Sequence, residues 1–260
     1  MFSSFMVNSW IAASLVAVVA GCIGFFVVVR GATFAAHALP LSAFPGAAAA
    51  ALLGVNQLAG LAVFAMLGVA GISQLAQRER HEVATALSLV ALLGLGTLFL
   101  SLTSEYAQGV YALLFGDVLG ISGAELPPLA ISAAVCIAAL LVLFRPLLLT
   151  SVSPDLAASG GINASLMEVA FLGILALATA IALPLVGALL VFSLMVGPAS
   201  AARSLTRKPP VAMALSVVIA LLTVWVAVAL SYLTNWPVGF FVGSFGTICY
   251  VGGRAAARTA

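Results

Sequence analysis

The stretch "HALPLSAFPG", from His37 to Gly46, places an ionisable ring and two prolines in the middle of an apolar run. Pro40 and Pro45 lack a backbone N–H, so neither can donate a hydrogen bond to the carbonyl four residues earlier. Such carbonyls are costly in lipid unless they line a cavity, and ionisable groups in membrane spans usually face a pathway or the bundle interior. Two interpretations stay open. One is a broken helix whose His37 faces a translocation path, and the other is a structural kink in which His37 hydrogen-bonds a neighbouring helix.

The composition indicates that lipid is the main solvent of the chain. Only 6% of the 260 residues are charged and 64% are hydrophobic, with a mean hydropathy of +1.30, whereas roughly a quarter of the residues of a soluble domain are charged. No long polar segment could form a soluble ATP-binding domain, and a net charge of +2 is too small to predict nucleic-acid binding. We therefore expect an integral membrane protein in which residues 1–260 form one transmembrane domain.

Apolar runs of the length that a spanning helix needs, about 17–25 residues, recur along the whole chain. They predict an all-α, polytopic transmembrane bundle of about eight or nine spanning helices. Near Pro184 the pattern leaves open whether residues 166–202 form a hairpin or one long broken helix. The candidate runs cover residues 8–29, 33–55, 58–76, 83–103, 129–149, 166–183, 185–202, 211–233 and 238–253.

The basic residues predict the orientation of these spans. All nine Lys and Arg residues lie at the ends of the first, third, fifth, seventh and ninth runs, so they share one side of the membrane. The positive-inside rule makes that side cytoplasmic, which puts the N-terminus outside and the C-terminus in the cytoplasm. These residues are Arg30, Arg78, Arg80, Arg145, Arg203, Arg207, Lys208, Arg254 and Arg258.

The connection formed by residues 104–128 should lie outside the cell. It contains a short apolar piece, residues 110–119, that is too short to span the bilayer. This pattern predicts an external surface helix or a re-entrant segment.

The connection formed by residues 150–165 should lie in the cytoplasm and contain a short helix. Ser153 can cap this helix, Pro154 suits its first turn, and Asp155 suits the positive end of its dipole. Gly160 and Gly161 are expected to end it. A short helix held in a loop in this way is suited to contact a partner.

Enzyme chemistry finds no support in the residue pattern. The chain has no Gly-x-Ser-Gly with a buried histidine, no paired aspartates within the candidate spans and no HExxH motif. His81, in "RERHE", is expected to be a solvated loop residue. We therefore expect neither catalysis by this chain nor a permanently bound cofactor.

Four motifs, in order and spacing, resemble the membrane subunit of metal-ion ABC importers of the zinc/manganese type. They are "FPGAA" at Phe44–Ala48, "LFGDVLGIS" at Leu114–Ser122, "SVSPDLAASGG" at Ser151–Gly161 and "VGALLVFSLMVGPASAAR" at Val186–Arg203. The resemblance implies a multi-pass permease in a bacterial cell membrane, the inner one where there are two. It implies pairing with a second copy, with ATP-binding subunits that hydrolyse ATP, and with an external metal-binding protein. It places the contact to the ATPase in the short helix, at Ser153, Pro154, Asp155, Leu156, Ala157, Gly160 and Gly161.

The opening stretch departs from the pattern of this family. The family usually has an Asp and, one turn later, a His before a Pro-Gly pair, and these positions hold His37 and Leu41 here. We interpret His37 as a transient metal ligand on the path, Leu41 as an apolar constriction, and Pro40, Pro45 and Gly46 as part of the same path. Imidazole suits zinc better than manganese.

Two alternatives stay open for the function. One is an ABC permease for a chelated metal or another small solute. The other is an ATP-independent secondary transporter or channel, for which Glu168 is the single acidic candidate within the spans.

Overall fold

The computed structural model describes residues 4–76, 81–102, 116 and 121–259, and every regular element in these ranges is an α-helix. The all-α prediction is therefore confirmed for the described chain. The helices are α1 (Ser4–Val29), α2 (Thr33–Leu53), α3 (Gln57–Ala76), α4 (His81–Ser101), α5 (Leu126–Val142), α6 (Phe144–Val152), α7 (Pro154–Ser159), α8 (Ala164–Val186), α9 (Ala188–Leu205), α10 (Pro209–Thr234) and α11 (Val238–Thr259).

Four of the described helices, α1, α2, α8 and α10, are long and apolar enough to cross a membrane, and α5 with α6 could form a fifth span. The count of eight or nine spans stays a prediction. The predicted external piece, residues 110–119, lies outside the described residues except for Gly116.

The predicted span over residues 129–149 is not one straight helix, because the chain bends by 56° between α5 and α6. Pro146 explains the bend. It has no N–H to donate to the carbonyl of Val142, which is the last residue of α5.

Of the two interpretations of the second span, the broken helix is contradicted by the structure. Helix α2 continues through both Pro40 and Pro45 and ends at Gly54, whose φ of +66° is in the left-handed region that favours glycine. Most of α2 from Ala36 to Ala50 is buried against other helices. Helices in a membrane tolerate proline where such neighbours support the backbone.

The uncertain boundary near Pro184 falls three residues later. Helix α8 continues past Pro184 to Val186, and α9 begins after Gly187. Gly187 has a φ of +81°, a conformation that glycine adopts without a steric penalty. The break therefore depends on this glycine rather than on the proline.

Close backbone contacts organise the bundle into two sets of helices. At Gly24 of α1 a Cβ atom would overlap the carbonyl of Met195 in α9, and at Gly46 of α2 it would overlap the carbonyl of Gly60 in α3. Helices α1, α9, α10 and α11 pack together, as do α2, α3 and α4. Small residues allow this close approach where lipid supplies no hydrophobic driving force. The two sets meet where α2 packs against α9, and α8 contacts helices of both sets.

Candidate translocation path and coupling segment

His37 lies close to one end of α2. The opening stretch of the sequence had suggested a position in the middle of the span. Helix α2 begins at Thr33, so a rise of 1.5 Å per residue puts His37 about 6 Å from the start of the helix. The predicted run, residues 33–55, already begins at the first residue of α2; His37 looks central only when the apolar stretch of α1 is read together with it.

The ring of His37 lies at the contact between the two sets of helices. It is half-buried and meets the ring of Phe192 in α9 edge-on, with the ring centroids 5.3 Å apart and an interplanar angle of 75°. Within the described part of the chain, His37 makes this aromatic contact and no hydrogen bond or ion pair. Among the described residues, His37 therefore does not form the hydrogen bond to a neighbouring helix that the second interpretation expected.

The other predicted path residues divide between two faces of α2. Leu41 is half-buried, packs against the core and lies one turn from His37 on the same face. Gly46 is nine residues from His37, which is half a rotation at 3.6 residues per turn, and its backbone contacts Gly60 of α3. Pro45 contacts Gly96 of α4. The structure therefore brings His37 and Leu41 together and turns Pro45 and Gly46 toward neighbouring helices.

Metal-binding side chains do not cluster in the described residues. No group of three or more His, Cys, Asp or Glu side chains close enough to hold a metal ion occurs there. Neutral imidazole is a good ligand for zinc-like metals, but stable sites use three or four ligands. Within the described residues of one copy, His37 provides a single ligand, which by itself binds a metal ion weakly.

The coupling segment, residues 150–165, contains the short helix that the sequence predicts. Pro154 is the first residue of α7 and Asp155 lies in its first turn. Ser153 precedes the helix, but its side chain makes no capping hydrogen bond. The capping prediction for Ser153 is therefore wrong. The reason is that α6 and α7 share this residue. Its N–H donates to the carbonyl of Leu149 at 2.9 Å, and its carbonyl accepts from Ala157 at 3.0 Å.

Glycines end α7 as predicted, and an asparagine that the sequence analysis missed starts the next helix. Gly161 has a φ of +74°, and the N–H of Ile162 donates to the carbonyl of Ala157 at 2.9 Å, a common way to end a helix. Asn163 then caps α8, because its Oδ1 accepts from the N–H of Leu166 at 3.1 Å. The signal was present as an Asn directly before an apolar periodic run.

The faces of α7 differ in exposure. Leu156 is 62% exposed, whereas Ala157 is fully buried against its own chain. Val152, just before α7, is also exposed. Leu156 therefore faces away from the rest of the described chain, and Ala157 packs against it.

Arg30 ties the turn between α1 and α2 to the coupling segment. One terminal nitrogen of its guanidinium lies 3.0 Å from Oγ1 of Thr150, 3.1 Å from Oγ of Ser151 and 3.3 Å from the carbonyl oxygen of Leu147. In the sequence, Arg30 indicates only the orientation of the first span. The missed signal was a single cation between two apolar runs, with two adjacent hydroxyl residues at the end of a later run.

Arg30 also contacts α8. Its guanidinium carbon lies 5.1 Å from the ring centroid of Phe171, within the range of a cation–π interaction. Burial lowers the pKa of the Arg30 guanidinium, and the negative charge of Glu168 acts in the opposite direction. The usual pKa of arginine is so high that the group stays charged. Arg30 thus joins α1, α6 and α8 at one point.

The basic residues near the helix ends gather at one end of the bundle, called here the basic end. Helices α1 and α10 are antiparallel, because Ser216 bonds to Gly21 and Trp225 to Ser14, and α9 ends directly before α10 begins. A Cβ on Gly253 of α11 would lie 2.7 Å from Cα of Ala201 in α9, and both residues are in the second half of their helix. Helices α1, α9 and α11 therefore end on the same side. The residues of this end include Arg30, Arg203 and Arg254.

The opposite end carries two of the tryptophans in contact with each other. Trp10 of α1 and Trp225 of α10 meet edge-on at 6.4 Å, and Nε1 of Trp225 donates to Oγ of Ser14 at 2.9 Å. Gly123 lies near Asn8 at the start of α1. Tryptophans of this kind are enriched at membrane–water interfaces.

A multi-pass membrane protein that presents a short helix at its basic end is the class that this fold defines. The chain matches the ABC 3 transport family over residues 2–255. It belongs to that family, which confirms the resemblance seen in the motifs.

Relatives with known names are similar over most of the chain. The manganese transport system membrane protein MntC of Listeria monocytogenes is 27% identical over 249 residues, which is 95% of this chain and 89% of that protein. The high-affinity zinc uptake system membrane protein ZnuB of Haemophilus influenzae is 29% identical over 204 residues, 78% of each chain.

Solved structures share the fold. A chain of PsaBC from Streptococcus pneumoniae, solved in complex with a Fab, superposes with a TM-score of 0.88 at 21% identity, covering 96% of this chain and 91% of that one. An inward-facing putative metal-chelate type ABC transporter gives a TM-score of 0.74 at 16% identity, covering 96% of this chain and 85% of the other.

Proposed function

We propose that this chain is the membrane-spanning permease subunit of an ABC importer that moves manganese or zinc into the cytoplasm by alternating access. The observation that carries the proposal is the match to the ABC 3 transport family along residues 2–255. The names of MntC and ZnuB support a divalent transition metal as cargo. In this proposal a partner chain hydrolyses the ATP, and this chain provides the path.

The assembly would consist of two copies of this chain, an ABC ATP-binding subunit and an external metal-binding protein, in a bacterial cell membrane. The positive-inside rule assigns the basic end, with Arg30 and Arg203, to the cytoplasm. The ATP-binding subunit would dock there. The end with Trp10 and Trp225 would face outward and receive the metal-binding protein.

His37 would act as a transient ligand for the passing ion. Its ring lies on the contact between α2 and α9, and relative movement of the two helix sets would expose it. A symmetric dimer would bring two imidazoles toward one axis, with Leu41 as an apolar constriction one turn away. A site with few ligands releases its ion readily, which passage requires.

The coupling segment would transmit the movement of the ATPase. Leu156 offers an exposed apolar side chain on a short helix whose two ends are fixed, by Pro154 and by the turn at Gly161. A stiff element of this kind can move as a unit when its partner moves.

A chelated metal is a second candidate for the cargo. It is favoured by the scarcity of ligands, since the described residues hold no cluster of metal-binding side chains. A chelate keeps its own ligands and would need contacts rather than coordination from the path.

Reconstitution tests this function. The tagged chain, purified from its native membrane, should bring an ATP-binding subunit with it, and the complex in proteoliposomes should take up Mn²⁺ or Zn²⁺ only when ATP and the external binding protein are supplied. Uptake without ATP would support the secondary transporter or channel instead. Uptake of a metal chelate but of neither free ion would support the second cargo.

A further inference from the structure

We propose that Arg30 is a positioning residue that transmits movement of the coupling segment to α2 and so to His37. This inference rests on the proposed function. It assigns a role in coupling to a side chain that touches neither the ion nor the ATPase.

The polar contacts around Arg30 form a closed network. The hydroxyl of Thr150 donates to the carbonyl of Pro146 at 3.0 Å, and the hydroxyl of Ser151 donates to the carbonyl of Leu147. Both hydroxyl oxygens are then free to accept from the guanidinium of Arg30. One guanidinium nitrogen thus shares its two N–H groups among three oxygens at the end of α6, so that this end and the guanidinium are expected to move together.

The connection from Arg30 to the path is short. Arg30, Gly31 and Ala32 form the whole turn between α1 and α2. The turn is tied to α1 by a bond from the N–H of Ala32 to the carbonyl of Val27 at 2.9 Å, and to α2 by a bond from the N–H of Ala36 to Ala32 at 3.0 Å. His37 is the next residue. A shift of the coupling segment that pulls on Arg30 therefore acts on the first turns of α2.

The network needs an arginine rather than any cation. One terminal nitrogen of the guanidinium contacts the oxygens of α6, while the planar group also packs on the aromatic face of Phe171. A lysine ammonium could donate to the same oxygens, but its flexible stem carries no planar group to pack on Phe171. Arg30→Lys should therefore restore only part of the function lost in Arg30→Gln.

The test uses the complete complex with its ATP-binding subunit in proteoliposomes, with Mn²⁺ and Zn²⁺ as the probes. In Arg30→Gln we expect ATP-dependent uptake to fall on the order of tenfold, the range that loss of hydrogen bonds to a charged group produces. Assembly and basal ATP hydrolysis should persist, so that more ATP is hydrolysed per ion carried. Arg203→Gln removes an exposed charge from the same end and should leave uptake per ATP unchanged.

A second pair of substitutions keeps the inference testable if Arg30→Gln fails to fold. Thr150→Val with Ser151→Ala removes the hydroxyl partners and should give the same loss of uptake per ATP, and adding Arg30→Gln should then add little. Wild-type uptake per ATP in Arg30→Gln would overturn the inference. An equal fall in assembly, hydrolysis and uptake would also overturn it, because it would show that Arg30 has a purely structural role. Absence of ATP-dependent uptake by the wild-type complex would instead refute the proposed function, and the inference with it.

Discussion

The coupling segment and the stretch of α2 around His37 are held by different kinds of interaction. The coupling segment is fixed by polar contacts, from Arg30 to Thr150 and Ser151, and by its own backbone turn at Gly161. Around His37, α2 meets α9 through the ring of Phe192. An edge-on aromatic pair contributes about 0.5–1.5 kcal/mol beyond its buried area.

This difference suits the two proposed roles. A segment that transmits force needs several directional contacts, because each hydrogen bond resists a change of angle and distance. A path that opens and closes needs a contact that separates at small cost. In the described residues, directional polar contacts occur at the basic end, and the contact that separates at small cost lies between the two helix sets.

The largest effect is expected at the path. His37→Leu should insert and assemble normally but lose transport by about 100-fold, the upper range seen when a group that supports a metal site is removed. His37→Asp restores a ligand and should retain part of the transport, with a shift in preference from zinc toward manganese. Uptake of both ions in proteoliposomes measures this.

Phe192→Leu is the matched control for the path, because it removes the aromatic partner and leaves the imidazole. It should change the rate of uptake only a few-fold. If His37→Leu carries metal at the wild-type rate, His37 is structural and the path assignment is wrong.

A smaller effect is expected at the exposed face of α7. Leu156→Glu should reduce metal-stimulated ATP hydrolysis by at least about tenfold, because loss of a buried apolar anchor in an interface costs about 2 kcal/mol. Leu233→Glu is the control, since Leu233 is 66% exposed against 62% for Leu156 but lies at the other end of the bundle. Equal hydrolysis in the two variants would exclude a docking role for Leu156.

The packing of α2 offers a test of stability rather than transport. Gly46→Ala places a methyl group against the carbonyl of Gly60, and the helices must separate. We expect a loss of about 1–3 kcal/mol, the usual cost of overpacking. Gly94→Ala in α4 meets no atom within 4 Å and should be neutral. Thermal unfolding in detergent compares the two, and similar values would show that α2 does not depend on this contact.

Rules that act within one segment predicted α7 and its glycine end, because Pro154, Asp155 and Gly161 determine local backbone geometry. These local rules failed where packing against other helices determines the conformation. Helix α2 stays continuous through Pro45 because neighbours bury it. The pairing of Arg30 with Thr150 joins residues more than a hundred positions apart. The sequence shows the lone cation and the two hydroxyl residues, but not that they meet.

The smallest effect separates two residues that look alike in sequence as helix caps. Asn163 caps α8 with its side chain, so Asn163→Ala should lower the free energy of unfolding by about 1 kcal/mol. Ser153 makes no such bond, so Ser153→Ala should stay within about 0.5 kcal/mol of the wild type, as substitutions without a specific contact usually do. Denaturation of the purified chain in one detergent measures both. A loss at Ser153 as large as that at Asn163 would mean that the Ser153 hydroxyl does cap α7, as local rules alone predict.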